Sequence, residues 1–243
     1  MRAMILAAGL GTRLRPLTDN RPKALVEVAA RTLLEITLER LQRFGIREVI
    51  VNVHHCADMV EKYLQAHDNF GMRIEISRED DLLDTGGGLK KAGYFFSDTD
   101  EPFILHNVDV ISTIDLELMV QRHNATQALA TLGVQERKTS RYLLFDEHLE
   151  LCGRRLGTED EIVKPTAQVV PLAFSGIHII SPRLLRILSE EGAFSIVSSY
   201  LRLAASGEKI GGFRTDQYYW LDLGKPENIA RAEQDIKANV CSM

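Results

Sequence analysis

Cysteine is scarce in this 243-residue chain: Cys56, Cys152 and Cys241 are odd in number and far apart. That argues against a disulfide framework and for a reducing, cytoplasmic compartment. Long apolar runs are also missing. Nothing is long enough to cross a bilayer, and no charged-then-apolar leader is read, so no membrane partner is expected. Positive charge is not in excess. Lys and Arg number 29 against 34 Asp and Glu, a formal net charge of −5, which argues against a basic face that wraps nucleic acid. Nucleophile motifs such as G-x-S-x-G are absent. So are internal repeats, low-complexity tracts, linkers and a hexapeptide-repeat extension. What remains is ordinary globular composition, 45% hydrophobic and 26% charged, at a length that suits one α/β domain over residues 1–243.

The most informative stretch lies at the front. Ala3-Met4-Ile5-Leu6-Ala7-Ala8 is an apolar run that reads as a buried strand, and it stops at Gly9. Gly9 and Gly11 let the backbone turn tightly and approach a ligand without Cβ obstruction. Arg13, Arg15 and Lys23 follow within reach. Exposed N–H groups with fixed cations make a site for polyphosphate. Two familiar phosphate loops do not fit. The Walker pattern G-x-x-x-x-G-K-[ST] is not present, and a dinucleotide fingerprint fails at its third glycine, where Leu14 stands. A plain glycine turn with solvated arginines is the alternative reading of the Gly-x-Gly alone.

Strand and helix patterns alternate behind this loop. Leu33, Leu34, Ile36, Leu38, Leu41 and Phe44 recur at helical spacing, with Gly45 at the expected C-terminal cap. Residues 48–53 read as a strand, 58–67 as a helix, 73–76 and 103–106 as strands, and Asp115 as the cap of a helix reaching Asn124. Thr85 is expected to cap a short helix entered through glycines. This order predicts a doubly wound, mostly parallel sheet over residues 1–125, with ligands beyond the carboxyl ends of its strands. Gly9, Gly86 and Asp109 fall at such ends. Residues 126–243 look more antiparallel, with strands at 127–135, 142–145, 169–180, 210–213 and 218–223. Helices are expected from Pro182, over 195–205 and over 226–238, and 149–165 reads as a charged, irregular loop over a site.

Individually, several candidates have plain explanations. A strand-end aspartate such as Asp109 or Asp222 is usually a turn former or a helix cap. Gly86-Gly87-Gly88 suits a flexible turn, and Phe174-Ser175-Gly176-Ile177 a central strand with one small residue. His54, His55 and Cys56 are adjacent on a strand end and point to opposite faces, so they do not share an ion.

Taken together, these motifs resemble the sugar-1-phosphate nucleotidylyltransferases. The signature G-x-G-T-R-L-x-P-L-T, four residues, then P-K is met at every fixed position from Gly9 to Lys23. The resemblance covers essentially the whole chain and implies a nucleotide-diphospho-sugar transferase type of fold, Rossmann-like, with a sugar-binding second half. It implies transfer of a nucleotidyl group from a nucleoside triphosphate to a sugar 1-phosphate with release of pyrophosphate. Ala7, Ala8, Gly9, Gly11, Thr12, Arg13, Asp84, Thr85, Gly86 and Gly87 would bind the nucleotide. Arg13 and Lys23 would act on the phosphates, and Asp109 with Asp222, the latter in Trp220-Leu221-Asp222-Leu223-Gly224, would hold Mg²⁺. Asn107, Phe174, Gly176 and Lys164 would face the sugar. Val163 replaces the glutamate of the family's E-K-P segment, a departure that bears on which sugar is taken. The Asp84–Gly88 segment is most like that of N-acetylmuramate-1-phosphate uridylyltransferases, which points to UTP and an N-acetylated amino sugar. GTP with mannose or heptose 1-phosphate, a non-catalytic nucleotide-sugar-binding subunit, and a dinucleotide binder are the alternatives. Monomer and homodimer both stay open.

Overall fold

Strands form where apolar residues run without interruption, and their alternation decides which face each residue covers. The computed structural model describes residues 1–240, so Cys241 lies outside the described residues. Among the described residues, fourteen strands and seven α-helices follow in chain order. The front half holds β1 (Ala3–Leu6), β2 (Glu27–Val28), β3 (Arg31–Thr32), α1 (Leu33–Arg43), β4 (Glu48–Val53), α2 (Ala57–Ala66), β5 (Arg73–Arg78), α3 (Asp84–Lys91), β6 (Phe103–Asn107), β7 (Val110–Ser112) and α4 (Leu116–Thr126). The second half holds β8 (Ala130–Gln135), β9 (Arg141–Phe145), β10 (Leu151–Leu156), β11 (Glu159–Ile162), β12 (Val170–Ile180), α5 (Arg183–Ile187), α6 (Ile196–Ala205), β13 (Ile210–Arg214), β14 (Trp220–Asp222) and α7 (Pro226–Lys237).

A ten-stranded sheet runs through both halves. Its main path is β11-β10-β9-β12-β6-β1-β4-β5, with β8 also on β12 and β13 on β8. From β6 to β5 every pairing is parallel. At β12 the direction reverses, and β12 pairs antiparallel with β6, β8 and β9. Successive strand residues feed opposite cores. Ile5, Val49, Val51 and Ile104 pack under α1, α2, α4 and α7; Met4, Ile50, Phe103 and Leu105 pack under α3, α5 and α6. Helices on both faces make this the doubly wound α/β architecture that the strand–helix alternation predicts. None of the described helices is long and apolar enough to cross a membrane.

Local chemistry sets the helix ends. Thr32 and Glu35 form a reciprocal capping box at α1, and Gly45 follows its end at φ +77°. The Asp115 carboxylate accepts the Leu118 N–H at 2.9 Å to open α4.

Several expectations need correction. The 149–165 stretch is not an irregular loop. It is the edge hairpin β10–β11, where Arg154 faces Glu161 and Arg155 faces Asp160 across the ladder, at 2.6 and 2.5 Å. The charges that suggest a loop are cross-strand pairs on an exposed edge, which also discourage pairing with another chain. Gln127 is the left-handed C-cap of α4 and not a strand residue, so β8 begins at Ala130. The helix after Pro182 lasts five residues, and the strand expected at 218–223 shrinks to Trp220–Asp222.

Candidate active site

A cavity of about 310 Å³ opens beyond the carboxyl ends of β1, β4 and β6. In a parallel sheet those ends are where backbone groups are left unpaired and loops converge. Leu6, Ala7, Ala8 and Gly9 form one wall; Asn107, Val108 and Asp109 form another; Lys23, Asn52, Asp84 and Thr85 complete it with Leu82. The first wall is braced by a buried relay. The Ala7 N–H donates to Asn52 Oδ1 at 2.8 Å, Asn52 Nδ2 donates to Glu79 Oε1 at 2.6 Å, and the Leu83 N–H donates to Glu79 Oε2 at 2.9 Å. Sequence reasoning missed both residues. Glu79 opens the run Glu79-Asp80-Asp81 and looks solvated, yet it is 4% exposed.

Gly11 holds φ +64°, and a Cβ there would stand 2.9 Å from Thr18 Cγ2 and 3.2 Å from Lys23 Cβ. The turn is therefore folded down on Lys23, which is buried and ion-paired with Asp109. Thr12 begins a short 3₁₀ turn from which the Arg13 side chain reaches Gly224. A Cβ on Gly224 would stand 2.6 Å from Arg13 Nη2 and 2.7 Å from Asp222 Oδ1. Asp222 in turn accepts the Gly224 N–H at 2.6 Å. The two aspartates approach through the β7–β14 ladder, in which Asp222 lies opposite Val110 and the Leu223 N–H donates to the Asp109 carbonyl at 2.8 Å. Two cations and two carboxylates, distant in sequence, thus meet beside the cavity.

The Asp84–Gly88 segment opens the short helix expected there and is not a flexible turn. Asp84 (φ +57°) begins α3, and its carboxylate accepts the Thr85 N–H at 2.5 Å. Thr85 does not cap α3; its Oγ1 accepts the Ile196 N–H at 3.0 Å and so serves α6. Gly86 and Gly87 are buried and line none of the cavity. The Gly86 N–H donates to the Phe194 carbonyl at 2.9 Å, and a Cβ on Gly86 would run into the Phe194 ring. A Cβ on Gly87 would run into the Gly192 carbonyl. Bare backbone at both positions lets α3 pack closely on residues 192–194.

On the other side, β12 breaks register between Phe174 and His178. Gly176 takes φ +78° in that break, where a Cβ would stand 2.9 Å from both Asn107 Nδ2 and Val110 Cγ2. Gly176 and Asn107 are thus in contact, and Asn107 lines the cavity. The Phe174 ring lies edge-on to His178, with centroids 4.6 Å apart. Lys164 is elsewhere. Its ammonium donates to Glu150 at 2.6 Å, which raises the lysine pKa and lowers that of the acid, and it does not line the cavity. Another cation stands on this side that the sequence did not single out. Arg137 donates from Nη2 to the Phe174 carbonyl at 2.9 Å and covers the Trp220 ring at 4.2 Å. In Glu136-Arg137-Lys138 it looks like one of a run of surface charges.

No group of three or more His, Cys, Asp or Glu is poised for a metal among the described residues. His54 instead contacts the Glu79 carbonyl through Nδ1 at 2.9 Å. The carboxylates brought together at the edge of the cavity are those of Asp109 and Asp222, with Asp84 on another wall.

Comparison with known proteins places this architecture. The chain is 35% identical to the N-acetylmuramate alpha-1-phosphate uridylyltransferase of Caulobacter vibrioides over 95% of both chains. It is 32% identical to the mannose-1-phosphate guanyltransferase beta-B of Xenopus laevis over 94% of this chain, spanning 62% of that relative's length. Among solved structures, HddC from Yersinia pseudotuberculosis complexed with GMP-PN superimposes with a TM-score of 0.78 at 21% identity, covering 97% of this chain and 99% of that one. A UDP-glucose pyrophosphorylase complexed with UDP-glucose gives 0.80 at 18% identity, covering 98% of each. These structural likenesses establish the fold. The nucleotidyl transferase family matches residues 2–239, nearly the whole chain, and with the Caulobacter relative it establishes that the protein belongs to the nucleotidyl transferase family.

Proposed function

We propose that this chain transfers a nucleotidyl group from a nucleoside triphosphate to a sugar 1-phosphate and releases pyrophosphate. The observation that carries the reading is the meeting of Lys23 with Asp109 and of Arg13 with Asp222 across Gly224, beside one cavity. A sugar-phosphate oxygen attacks the α-phosphorus in line, and the bond to the leaving pyrophosphate breaks. The nucleophile is already anionic, so no general base is needed. The protein's work is positioning and charge neutralisation. Arg13 holds the triphosphate and the departing pyrophosphate. Lys23 exchanges its pairing with Asp109 for phosphate oxygens at the reacting centre. Asp109 and Asp222 are the residues that would hold Mg²⁺. Two carboxylates without a third acid suit an ion that keeps several waters and takes substrate phosphates. When bound, that ion supplies electrostatic stabilisation of the charge on the transferring phosphorus.

For the substrates, our reading is UTP with N-acetylmuramate 1-phosphate or a near analogue. Uracil shows two acceptors flanking one donor, and the backbone at Ala8 and Gly9, beyond the braced Ala7, is the part of that cavity wall that suits its edge. The Caulobacter relative, matched end to end, supports the same choice. A second reading, GTP with mannose or heptose 1-phosphate, rests on Asp84. Asp84 lines the cavity, and its carboxylate, which also accepts the Thr85 N–H, suits the two neighbouring donors of guanine. A matrix of nucleoside triphosphates against sugar 1-phosphates, read by pyrophosphate release, tests both. A higher kcat/KM for GTP with mannose or heptose 1-phosphate than for every UTP pairing selects the second reading. No release with any pairing rejects nucleotidyl transfer.

A further inference from the structure

Many of this protein's arginines find carboxylates. Arg154, Arg155, Arg183, Arg202 and Arg214 each lie within 3 Å of one. Arg137 does not. It forms no ion pair among the described residues, its Nε is sealed from solvent without a partner, and its recorded hydrogen bond goes to a backbone carbonyl. A guanidinium carries five N–H donors, and a cation taken from water without a counter-ion is costly. Burial does push this guanidinium below its ordinary value, while the charge of Asp222 pulls the other way.

The surroundings hold Arg137 in place without neutralising it. Its carbon centre sits 4.2 Å from the Trp220 ring centroid, a cation–π distance. Trp220 is itself fixed, because its indole N–H donates to the Ser175 carbonyl at 2.7 Å. The Phe174 carbonyl that Arg137 uses comes from the same break in β12 that presses Gly176 against Asn107. Arg137 does not itself line the cavity, but it is anchored at the break that touches Asn107, a cavity-lining residue, and it feels the charge of Asp222. Lys164, the cation expected on this side, is already paired with Glu150.

We propose that Arg137 is the substrate-binding cation of the sugar side: its guanidinium receives an oxyanion of the sugar phosphate, a role that Lys164 does not fill here. The inference rests on the nucleotidyl-transfer reading for the identity of the ligand. An anionic phosphate at C1 and a carboxylate on the sugar present the same chemistry, a planar or trigonal set of oxygens that an arginine fork matches.

Trp220 is the protein's single tryptophan, so its emission reports directly on the group stacked against it. Glucose 1-phosphate, which has no carboxylate, and N-acetylmuramate 1-phosphate, which has one, are titrated against the native protein, Arg137→Gln and Arg137→Lys. The native protein should show a saturable change in emission. Arg137→Gln should weaken apparent binding by about 10- to 100-fold, the range for one lost bond to a charged group. In turnover, KM for the sugar phosphate should rise at least about tenfold, while KM for the nucleotide stays within about twofold. Loss with both sugars assigns the C1 phosphate to Arg137, and loss with the muramate alone assigns the carboxylate. Native affinity in Arg137→Gln for both sugars overturns the proposal, as does an equal rise in the nucleotide KM. If Arg137→Gln does not fold, Arg137→Lys decides: at native Tm, unchanged binding of both sugars overturns it. The titration needs no turnover, so it stands apart from failure of the transfer reading, which the pyrophosphate assay detects.

Discussion

The parallel half from β5 to β6 and the antiparallel half beyond β12 share one sheet but hold their functional groups differently. In the parallel half, all strands point their carboxyl ends the same way, so every loop that could touch a ligand emerges on one edge. Ala7, Asn52 and Asn107 reach the cavity simply by standing at or just beyond the ends of neighbouring strands. In the antiparallel half, successive loops alternate between edges, and residues arrive through the separate β7–β14 ladder or through a defect in β12. The break at Phe174–His178 with Gly176 at positive φ is that defect. The contrast shows in the two lysines that motifs single out. Lys23 follows the signature into the cavity, while Lys164, matched by a short Lys-Pro, is turned onto Glu150.

The largest expected effect tests whether the junction of the halves is the reacting centre. Asp109 belongs to the parallel half, and Asp222 reaches it from the end of the chain through the β7–β14 ladder. Asp109→Ala and Asp222→Ala should each lower kcat by at least about 10²-fold with Mg²⁺ present, because each would remove a carboxylate that holds the ion neutralising the transferring phosphorus. Near-native pyrophosphate release from either variant would remove that aspartate from the centre.

A smaller loss is expected from the cations of the front loop. Lys23→Ala should depress kcat by about tenfold or more and leave nucleotide affinity nearly unchanged, since its target charge develops only at the reacting phosphorus. Arg13→Lys keeps the charge but loses the planar fork, and should cost about tenfold in kcat/KM. Steady-state kinetics with the nucleotide varied checks both. Unchanged kcat in Lys23→Ala would sink the assignment.

The seam between the halves carries its own prediction. His106 on β6 and His178 on β12 are register neighbours, with Ile177 opposite His106 and His178 opposite Leu105, and they face opposite cores. Burial lowers both pKa values to about 3. His178 meets the Tyr200 hydroxyl through Nδ1 at 2.8 Å. The folded protein keeps both rings neutral, whereas the unfolded chain protonates them near pH 6.5. Stability from these groups is therefore full above about pH 6.5 and falls steadily as pH drops toward 3. Chemical denaturation between pH 7 and 4 should show this fall, with a smaller slope in His178→Gln. A pH-independent midpoint would show that the seam is hydrated.

Gly86 and Gly87 separate two uses of a small residue. If bare backbone serves the packing of α3 on residues 192–194, Gly86→Ala and Gly87→Ala should each destabilise by about 1–3 kcal/mol through overpacking. Thermal unfolding without ligand reads this. A normal Tm with raised nucleotide KM would instead assign these glycines to the base.

Much of this was legible in the sequence, and the residues say why. Asp115 and Gly45 mark helix ends through local chemistry, and residues 48–53 mark a strand by composition, so those elements fall where expected. The front signature and the two aspartates are likewise visible because each is a short, local pattern. Hidden features depend on partners far along the chain. The β10–β11 hairpin is recognisable only once Arg154 is known to face Glu161. Glu79 becomes a brace only when Asn52 and Leu83 arrive around it. Arg137 becomes distinctive only through the carboxylate it lacks and the Trp220 ring beneath it. The glycines of α3 are read as ligand space when their neighbour is Phe194, more than a hundred residues away.

The smallest expected effect comes from Lys164, and it cuts the comparison most finely. Its partner Glu150 also meets Lys209 at 3.2 Å, so removing one lysine leaves the acid with a second cation. Both groups are partly exposed, and an exposed pair of this kind contributes about 0–1 kcal/mol. Lys164→Ala should therefore lower stability by no more than about 1 kcal/mol at pH 7. The hydrogen bond from Lys164 holds the Glu150 pKa below its ordinary value. That stabilisation is present above the unfolded carboxyl value and is lost as pH falls through the lower folded one. The difference between Lys164→Ala and the native protein should accordingly vanish in acid. Kinetically, the variant should keep kcat/KM for the sugar phosphate within about threefold, because no oxyanion depends on a lysine already paired with an acid. A loss near 10²-fold in kcat/KM with unchanged stability would mean that Lys164 leaves Glu150 to meet the substrate. The antiparallel half would then deliver its cation by movement, and the rigid placement of Arg137 would not be the only route to the sugar anion.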